Sequence, residues 1–162
     1  MIPVEVVGVR VEMPSNQPIV LLKEIDGLRF LPIWVGSAEA TAIAFAQQGV
    51  EPPRPLTHDL MVTVLGSVGA TLESVHLTHL QDGIFYAELN LLDASRSKIT
   101  VSSRPSDAIA LALRTKCGIY SSIELLDESG IEIPVDDGVQ ANEEVERFRE
   151  FLDQINPEDF AG

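Results

Sequence analysis

Two opposite charges lie three positions apart where a strand is expected to turn into a helix. Residues 99–101 are typical strand formers, and residues 102–114 have the pattern of a turn followed by an alanine-rich helix. Pro105 suits the first turn of that helix because its missing N–H would have no intrahelical partner there. A carboxylate in the first turn is favoured by the helix dipole. Arg104 and Asp107 should therefore project from one turn, where the first could hold a phosphate and the second a metal ion or a water molecule.

An earlier segment of the chain has the same pattern. Residues 31–35 are mostly apolar, Ser37 is the expected helix cap, and Glu39 falls in the first turn of another alanine-rich helix. Aligning Glu39 with Asp107 also aligns three alanines and one branched apolar position. We interpret the match as an internal repeat that puts two acids at equivalent helix starts. The alternative is that strand-to-helix joins often look alike.

A third helix start has His58 and Asp59 next to each other, with Thr57 as the expected cap. Arg54 precedes it in a proline-rich connector. The side chains of His58 and Asp59 would lie close to the free N–H groups of the first helical turn, and such helix starts bind anions. This segment therefore adds a third group of polar residues to the two acid-bearing turns.

Together these residue types suit the hydrolysis of a phosphodiester. That reaction needs an activated water, stabilisation of charge on the phosphoryl oxygens and help for the leaving oxygen. Carboxylates that hold Mg²⁺ or Mn²⁺ can supply the first two, and arginine adds to the second. The candidate catalytic residues are Asp107, Glu39, His58 and Asp59, with Asp107 and Glu39 as the metal ligands. The candidates for binding the substrate phosphate are Arg104, Arg54, Ser106 and Ser37. A structural interpretation stays open for each acid, since carboxylates in a first turn are ordinary capping residues.

The charge of the chain is unevenly distributed. The 162 residues have a net charge of −14, which argues against simple electrostatic attraction to nucleic acid. From Glu124 onward, however, there are 13 acidic and 2 basic residues, a net charge of −11. The preceding part of the chain is nearly neutral, so a phosphate-binding surface on it is compatible with the composition.

Other features of the composition concern the cellular setting. The single cysteine, Cys117, rules out an internal disulfide and fits a reducing cytoplasm. It is expected to be a buried, inert thiol. No apolar run approaches the roughly 20 residues that span a bilayer, and the N-terminus has no signal-peptide pattern. We therefore expect a cytoplasmic protein with no membrane association.

The pattern of apolar residues and turns predicts an α+β fold. The predicted order is three strands and two helices, then three strands and one helix: strands 4–13, 19–25 and 28–35, helices 37–48 and 57–68, strands 71–80, 84–92 and 98–102, and a helix ending near residue 116. Residues 119–126 could form a strand or a helix, and 131–133 a short strand. Residues 143–155 should form a last, acidic helix. Trp34 is expected in the core, and His76 and His79, at odd spacing on one strand, on opposite faces.

Three segments in this order, residues 32–40, 54–60 and 104–112, resemble the bifunctional nuclease domain family. The resemblance covers about residues 1–135. It implies a duplicated β3α2 architecture and an activity that cleaves both DNA and RNA. We accordingly expect an internally duplicated domain with a mixed or antiparallel sheet, halves of about 1–69 and 70–135, and an acidic C-terminal helix within 136–162. Some family members have an extra C-terminal motif related to excision-repair subunits, whereas this chain ends in the acidic segment.

The resulting expectation is a metal-dependent nuclease that takes DNA and RNA as substrates. Because the edges of a small sheet need cover, we also expect a homo-oligomer, with a dimer favoured. The alternative function is a non-enzymatic regulatory protein whose helix starts hold a small anion or a partner segment. That alternative is favoured by the net charge and by the lack of a dense cluster of metal ligands in the sequence.

Overall fold

The structure, a computed structural model, describes residues 1–133. Within them the chain forms eight strands and four helices. In chain order these are β1 (Ile2–Glu12), β2 (Gln17–Glu24), β3 (Arg29–Trp34), α1 (Ser37–Gln48), α2 (Thr57–Ser67), β4 (Thr71–Gln81), β5 (Ile84–Leu92), β6 (Lys98–Ser103), α3 (Pro105–Thr115), β7 (Gly118–Ser121), α4 (Ile123–Ser129) and β8 (Ile131–Glu132). The expected helix at 143–155 and the acidic segment 136–162 lie outside the described residues.

All the strands described belong to one mixed sheet, in the order β6-β5-β4-β7-β1-β2-β3-β8. Strands β1 to β3 form one antiparallel meander, and β4 to β6 form a second. The short strand β7 joins the two meanders, because it pairs parallel to β4 and antiparallel to β1. The α+β class and the mixed sheet predicted from the sequence are thus confirmed.

The helix that follows each meander has an acidic residue at its third position. Glu39 is the third residue of α1, and Asp107 is the third residue of α3. The same order of three strands and a helix therefore occurs in both parts of the chain. That the two parts superpose as a true internal duplication stays a prediction.

Helix α3 is the most deeply buried helix in the described part of the chain. Seven of its residues are buried, and Ile109 and Leu111 are fully enclosed. It packs against α1 and α2 on its sides and against β4 and β5 below. Small alanine side chains alternate with the large ones, which lets the backbones of α1 and α3 approach each other. The start of α3 is consequently held in a fixed place by the core.

Strand β2 is buried on both of its faces. Val20 and Leu22 belong to the main core between the sheet and the helices. Ile19 and Leu21 alternate with them and so point to the other face, where they join a smaller apolar cluster with Phe30. This accounts for the nearly continuous apolar run of β2.

Two expected helix caps are wrong by one residue. The caps are Gly36 for α1 and Leu56 for α2, so Ser37 and Thr57 are the first helical residues. In α2 the physical reason is visible, because the carboxylate of Asp59 accepts the backbone N–H of Leu56 at 2.9 Å. An acid inside the helix thereby satisfies a donor at its start. Helix α3 begins after Arg104, which is its N-terminal cap.

The ambiguous segment 119–126 contains both a strand and a helix. Ser122 separates β7 from α4, because its hydroxyl accepts the N–H of Leu125 at 3.1 Å and donates to the carbonyl of Thr78 at 2.7 Å. The hydroxyl of Ser122 thus makes one hydrogen bond to β4 after the end of β7 and another at the start of α4.

Among the described residues, no helix has both the length and the apolar composition needed to cross a bilayer.

The expectation that His76 and His79 point to opposite faces is wrong. His76 is paired with Glu88, and His79 is paired with Tyr86, two positions along β5. A bulge between Leu77 and His79 inserts one extra residue into β4, and so it brings both histidines to the same face.

The burial of α3 predicts a large effect of truncating its core side chains. Leu111→Ala should lower the free energy of unfolding by about 2–5 kcal/mol, because it leaves a cavity where the helix meets the sheet. Urea denaturation followed by circular dichroism would measure the change. Val64→Ala on α2 is the control, since Val64 is 51% exposed and its truncation should change the free energy by no more than about 0.5 kcal/mol. Equal effects of the two substitutions would contradict this account of the core.

Candidate active site

Four charged or ionisable side chains from three helix starts form one connected cluster. The Nε2 atom of His58 lies 2.9 Å from Oδ1 of Asp107. The guanidinium of Arg104 donates from Nε to Oδ2 of Asp107 at 2.7 Å and from Nη2 to Oδ1 at 3.1 Å. The same Nη2 donates to Oε1 of Glu39 at 2.8 Å. We refer to these four residues as the charge cluster.

The helices place the members of the charge cluster together. Glu39 and Asp107 meet because α1 and α3 pack side by side, and each acid lies in the first turn of its helix. His58 is the second residue of α2, which packs on the other side of α3. The positive end of each helix dipole favours the carboxylate in its first turn. Arg104 caps α3 and reaches both acids from there.

The members of the charge cluster differ in exposure. The side chain of His58 is 9% exposed, those of Glu39 and Asp107 are 17% and 23% exposed, and that of Arg104 is 65% exposed. The acids are therefore mostly covered, while the guanidinium lies at the surface. An ionised carboxylate can only accept hydrogen bonds, so the Nε2–H of His58 donates to Asp107. A neutral His58 ring then has its lone pair on Nδ1.

The electrostatic surroundings keep Asp107 ionised. Burial by itself raises the pKa of Asp107, but hydrogen bonds from Arg104 and His58 outweigh it, and the net pKa is below the ordinary value. The pKa of Arg104 is raised by its hydrogen bonds to Asp107 and Glu39. The charge cluster thus contains a firmly negative carboxylate and a firmly positive guanidinium.

Asp59 takes part in a different ion pair from its neighbour His58. Its Oδ1 accepts from Nε of Arg114 at 2.7 Å, and Arg114 also donates to the carbonyl of Ala110 at 2.8 Å. The Arg114 hydrogen bond, followed by that from the Leu56 N–H, lowers the pKa of Asp59. This pair ties α2 to the last turn of α3. Arg114 is not among the residues expected from the sequence, although a base in the last turn of a helix is a recognisable signal.

The remaining phosphate-binding candidates have different positions. Ser106 is buried in the first turn of α3, beside Asp107. Ser37 begins α1 and is exposed, and its carbonyl accepts a hydrogen bond from Thr41 at 2.9 Å. Arg54 is exposed in the connector before α2. Within residues 1–133, no hydrogen bond or ion pair connects Arg54 to the charge cluster.

A pocket of about 390 Å³ opens beside Arg104. The end of β3 with the start of α1, the start of the β5 strand, and the start of α3 line this pocket. Trp34 and Phe85 are its two aromatic lining residues, and Arg104 and Ser106 are among its polar ones. Trp34 packs against the smaller apolar cluster, as expected of a core residue, but it is only half-buried and also lines this pocket. Its Nε1–H donates to Oε2 of Glu12 at 3.4 Å.

The structure is an α+β domain with a mixed sheet, and its charge cluster brings together acids from the starts of two helices. The chain belongs to the bifunctional nuclease domain family, because residues 20–134 match the Bifunctional nuclease domain. The match takes in every member of the charge cluster, and it confirms the resemblance seen in the three sequence segments.

Individual relatives fall into two groups. The Uncharacterized protein Rv1829 of Mycobacterium tuberculosis is 49% identical to this chain over 162 residues, an alignment that covers 97% of this chain and 96% of the relative. Bifunctional nuclease 1 of Oryza sativa subsp. japonica is 26% identical over 117 residues, which cover 70% of this chain and 35% of the rice protein. The similarity to proteins with nuclease in their names thus extends over about a third of their length.

The lowered pKa of Asp107 predicts how acid affects stability. A carboxyl whose pKa is lower in the folded state stabilises the fold above its unfolded pKa, ordinarily near 3.8, and loses this contribution as the pH falls through the folded value. The free energy of unfolding should therefore fall as the pH is lowered below about 4. In Asp107→Asn the fall should be shallower, and urea titrations between pH 2 and 7 would show the difference.

Arg104→Ala is the companion variant for this measurement. It keeps the carboxyl but removes the largest favourable cause of its lowered pKa, so it should also make the pH dependence shallower. Superimposable pH profiles of the wild type and both variants would contradict the electrostatic description of the charge cluster.

Proposed function

We propose that this protein hydrolyses phosphodiester bonds of both DNA and RNA, with a divalent metal ion, at the charge cluster. The observation that supports the proposal most is the position of Arg104. Its guanidinium lies at the surface between two largely covered carboxylates, and it is 65% exposed. It can therefore turn toward a bound phosphate while the acids stay in place.

The phosphate site in this proposal consists of Arg104 and the start of α3. Arginine presents a planar set of donors that suits phosphate oxygens. The backbone N–H groups of Ser106 and Asp107 belong to the first turn, where no intrahelical acceptor is present. Arg104 would neutralise charge on the phosphoryl oxygens during cleavage. Family membership supports the nuclease function that this site would serve, since the rice relative is named Bifunctional nuclease 1.

The two carboxylates are the proposed ligands of Mg²⁺ or Mn²⁺. Among residues 1–133, no group of three or more histidine, cysteine, aspartate or glutamate side chains is arranged to hold a metal ion. Mg²⁺ is nevertheless commonly bound through one or two carboxylates, with water and substrate phosphate completing its shell. Glu39 and Asp107 match that donor set once Arg104 has moved to the phosphate. A metal ion bound there would lower the pKa of the attacking water and polarise the phosphoryl group.

His58 is best explained as a positioning residue. It is almost fully covered and holds Oδ1 of Asp107 through its Nε2–H. It would keep one carboxylate oxygen directed away from solvent and leave the other for water or metal once Arg104 has turned. The ionised state of Asp107, maintained by these neighbours, suits a metal ligand.

A second copy of this chain is the partner that we propose for the open edge of the sheet. Within the described residues, β6 pairs only with β5 and so presents unpaired backbone groups on its other side. Ile99 and Val101 on this strand are 43% and 41% exposed. Antiparallel pairing of two β6 strands would cover both the unpaired backbone groups and the exposed apolar side chains.

We also propose that the protein is located in the reducing cytoplasm, because Cys117 is its single cysteine.

The nuclease proposal predicts a specific loss of activity in Asp107→Asn. The change keeps the shape and a hydrogen-bonding oxygen but removes the charge that would hold a metal ion or accept a proton. Cleavage of single-stranded DNA and RNA should fall by about 100-fold or more, and EDTA should abolish wild-type cleavage until Mg²⁺ or Mn²⁺ is restored. A fluorescent oligonucleotide assay on protein purified free of host nucleases would measure both.

Glu124→Gln is the matched control for this variant. Glu124 is likewise an acid in the first turn of a helix, α4, but it lies outside the charge cluster. The control should lose no more than a small part of its stability and none of its cleavage. Full activity of folded Asp107→Asn would refute the site, and a wild-type protein that cleaves nothing after repurification would favour the regulatory alternative.

The proposed dimer predicts a mass of twice 17.6 kDa in light scattering at micromolar concentration. Placing lysine at both Ile99 and Val101 should yield monomers, because charged side chains on an edge strand oppose strand pairing. Ile123→Lys, at an apolar position on α4 that is 48% exposed, is the control and should leave the dimer intact. A wild-type mass of 17.6 kDa throughout the concentration range would exclude the dimer.

A further inference from the structure

We propose that the pocket beside Arg104 binds one unpaired nucleobase, so that the preferred substrate is single-stranded DNA or RNA. This inference rests on the proposed function, because it assumes that a substrate phosphate lies on Arg104. It goes further by assigning a place to the base attached to that phosphate. The assignment follows from the pocket's size, its lining and its position.

The pocket has the size and composition of a small-ligand site. Its volume of about 390 Å³ falls within the range of about 300–1,000 Å³ that is usual for such sites. Ile33, Val35 and Pro105 are buried and supply an apolar lining. Trp34 and Phe85 add aromatic surface that is partly open to solvent. The aromatic faces of a planar group such as a base suit this environment better than a phosphate or a sugar does.

The position of the pocket couples it to the charge cluster. Arg104 both lines the pocket and contacts Asp107 and Glu39. A nucleotide whose phosphate is held by Arg104 therefore has a short path along which its base can enter. Ser106, in the same first turn of α3, also lines the pocket. One arginine would thus connect the bond to be cleaved with the base that is bound.

A tight turn brings Phe85 to the pocket. Strands β4 and β5 are joined by Asp82 and Gly83, which have φ values of 52° and 75°. A positive φ at both positions is the mark of a two-residue hairpin turn, and glycine adopts it without strain. Gly83 itself lines the pocket together with Ile84. The second meander thereby contributes one wall, and β3 of the first meander contributes the other.

This lining predicts broad base tolerance and a preference for unpaired strands. Every base has an aromatic face, so contact with tryptophan and phenylalanine discriminates poorly between bases. A base within a duplex is stacked and paired, and it would have to leave the stack to enter the pocket. Recognition through the base and the phosphate does not use the ribose 2′-hydroxyl, in agreement with cleavage of both DNA and RNA.

The only tryptophan in the chain provides the test. The fluorescence of Trp34 is followed while adenosine 5′-monophosphate, adenosine or ribose 5-phosphate is added to the full-length protein in EDTA. The monophosphate should quench the emission saturably, adenosine should do so more weakly, and ribose 5-phosphate should have little effect. Phe85→Ala should weaken the affinity for the monophosphate by about tenfold or more, because it removes one aromatic surface.

Tyr86→Ala is the matched control. Tyr86 follows Phe85 on β5 but points to the other face of the sheet, where its ring stacks on His79 with centroids 4.4 Å apart. This variant should bind the monophosphate as the wild type does. Arg104→Ala should weaken the binding of adenosine monophosphate but not the binding of adenosine. Absence of quenching, equal quenching by ribose 5-phosphate, or equal losses in Phe85→Ala and Tyr86→Ala would overturn the base pocket.

The two proposals can fail separately. Asp107→Asn should retain adenosine monophosphate binding while losing cleavage. Saturable binding by a wild type that cleaves nothing would remove the nuclease function and leave the base pocket standing. Cleavage of duplex DNA as fast as single strands, without quenching by the monophosphate, would remove the base pocket and leave the nuclease function.

Discussion

The burial of α3 is the constraint on which the rest of the structure depends. Its Ile109 and Leu111 side chains are fully enclosed, and its alanines Ala108, Ala110 and Ala112 are buried in the same core. Because the helix cannot shift without opening the core, the turn that begins it holds a constant position. The backbones of Arg104 and Asp107 are part of that turn and share its fixed position. Placing functional groups on such a fixed element reduces the reorganisation that substrate binding requires.

The charge cluster combines two mostly covered acids with an arginine whose side chain lies at the surface. Glu39 and Asp107 are held at the starts of packed helices, where the dipoles favour negative charge, while Arg104 reaches them from the surface. In a partly buried site these attractions are stronger than they would be in water. In the proposed function a phosphate would replace the carboxylates as the partner of Arg104, and this exchange would suit a protein whose chain as a whole is acidic. The Arg104 guanidinium, rather than the net charge of the protein, would then contact the substrate phosphate.

Two adjacent residues of α2 contact opposite ends of α3. His58 contacts Asp107 in the first turn of α3, whereas Asp59 contacts Arg114 in the last. The two contacted positions are seven residues apart, about 10 Å along the helix. These two contacts connect α2 to both ends of α3, and the first of them holds His58 next to Asp107. Asp59 thus takes part in an ion pair between two helices, whereas His58 belongs to the charge cluster.

The sequence by itself determined the class of fold, the order of most elements and three helix starts with polar residues, because apolar periodicity, prolines and glycines act over a few neighbouring residues. It also contained the three segments that indicated the family. It could not show that Glu39 and Asp107 share one arginine, since that pair involves residues 65 positions apart, or that His58 meets Asp107 across 49 positions. The bulge that turns His79, the division at Ser122 and the pocket containing Trp34 likewise depend on contacts between distant strands. Tertiary structure decided these features because packing, and not local preference, sets which surfaces meet.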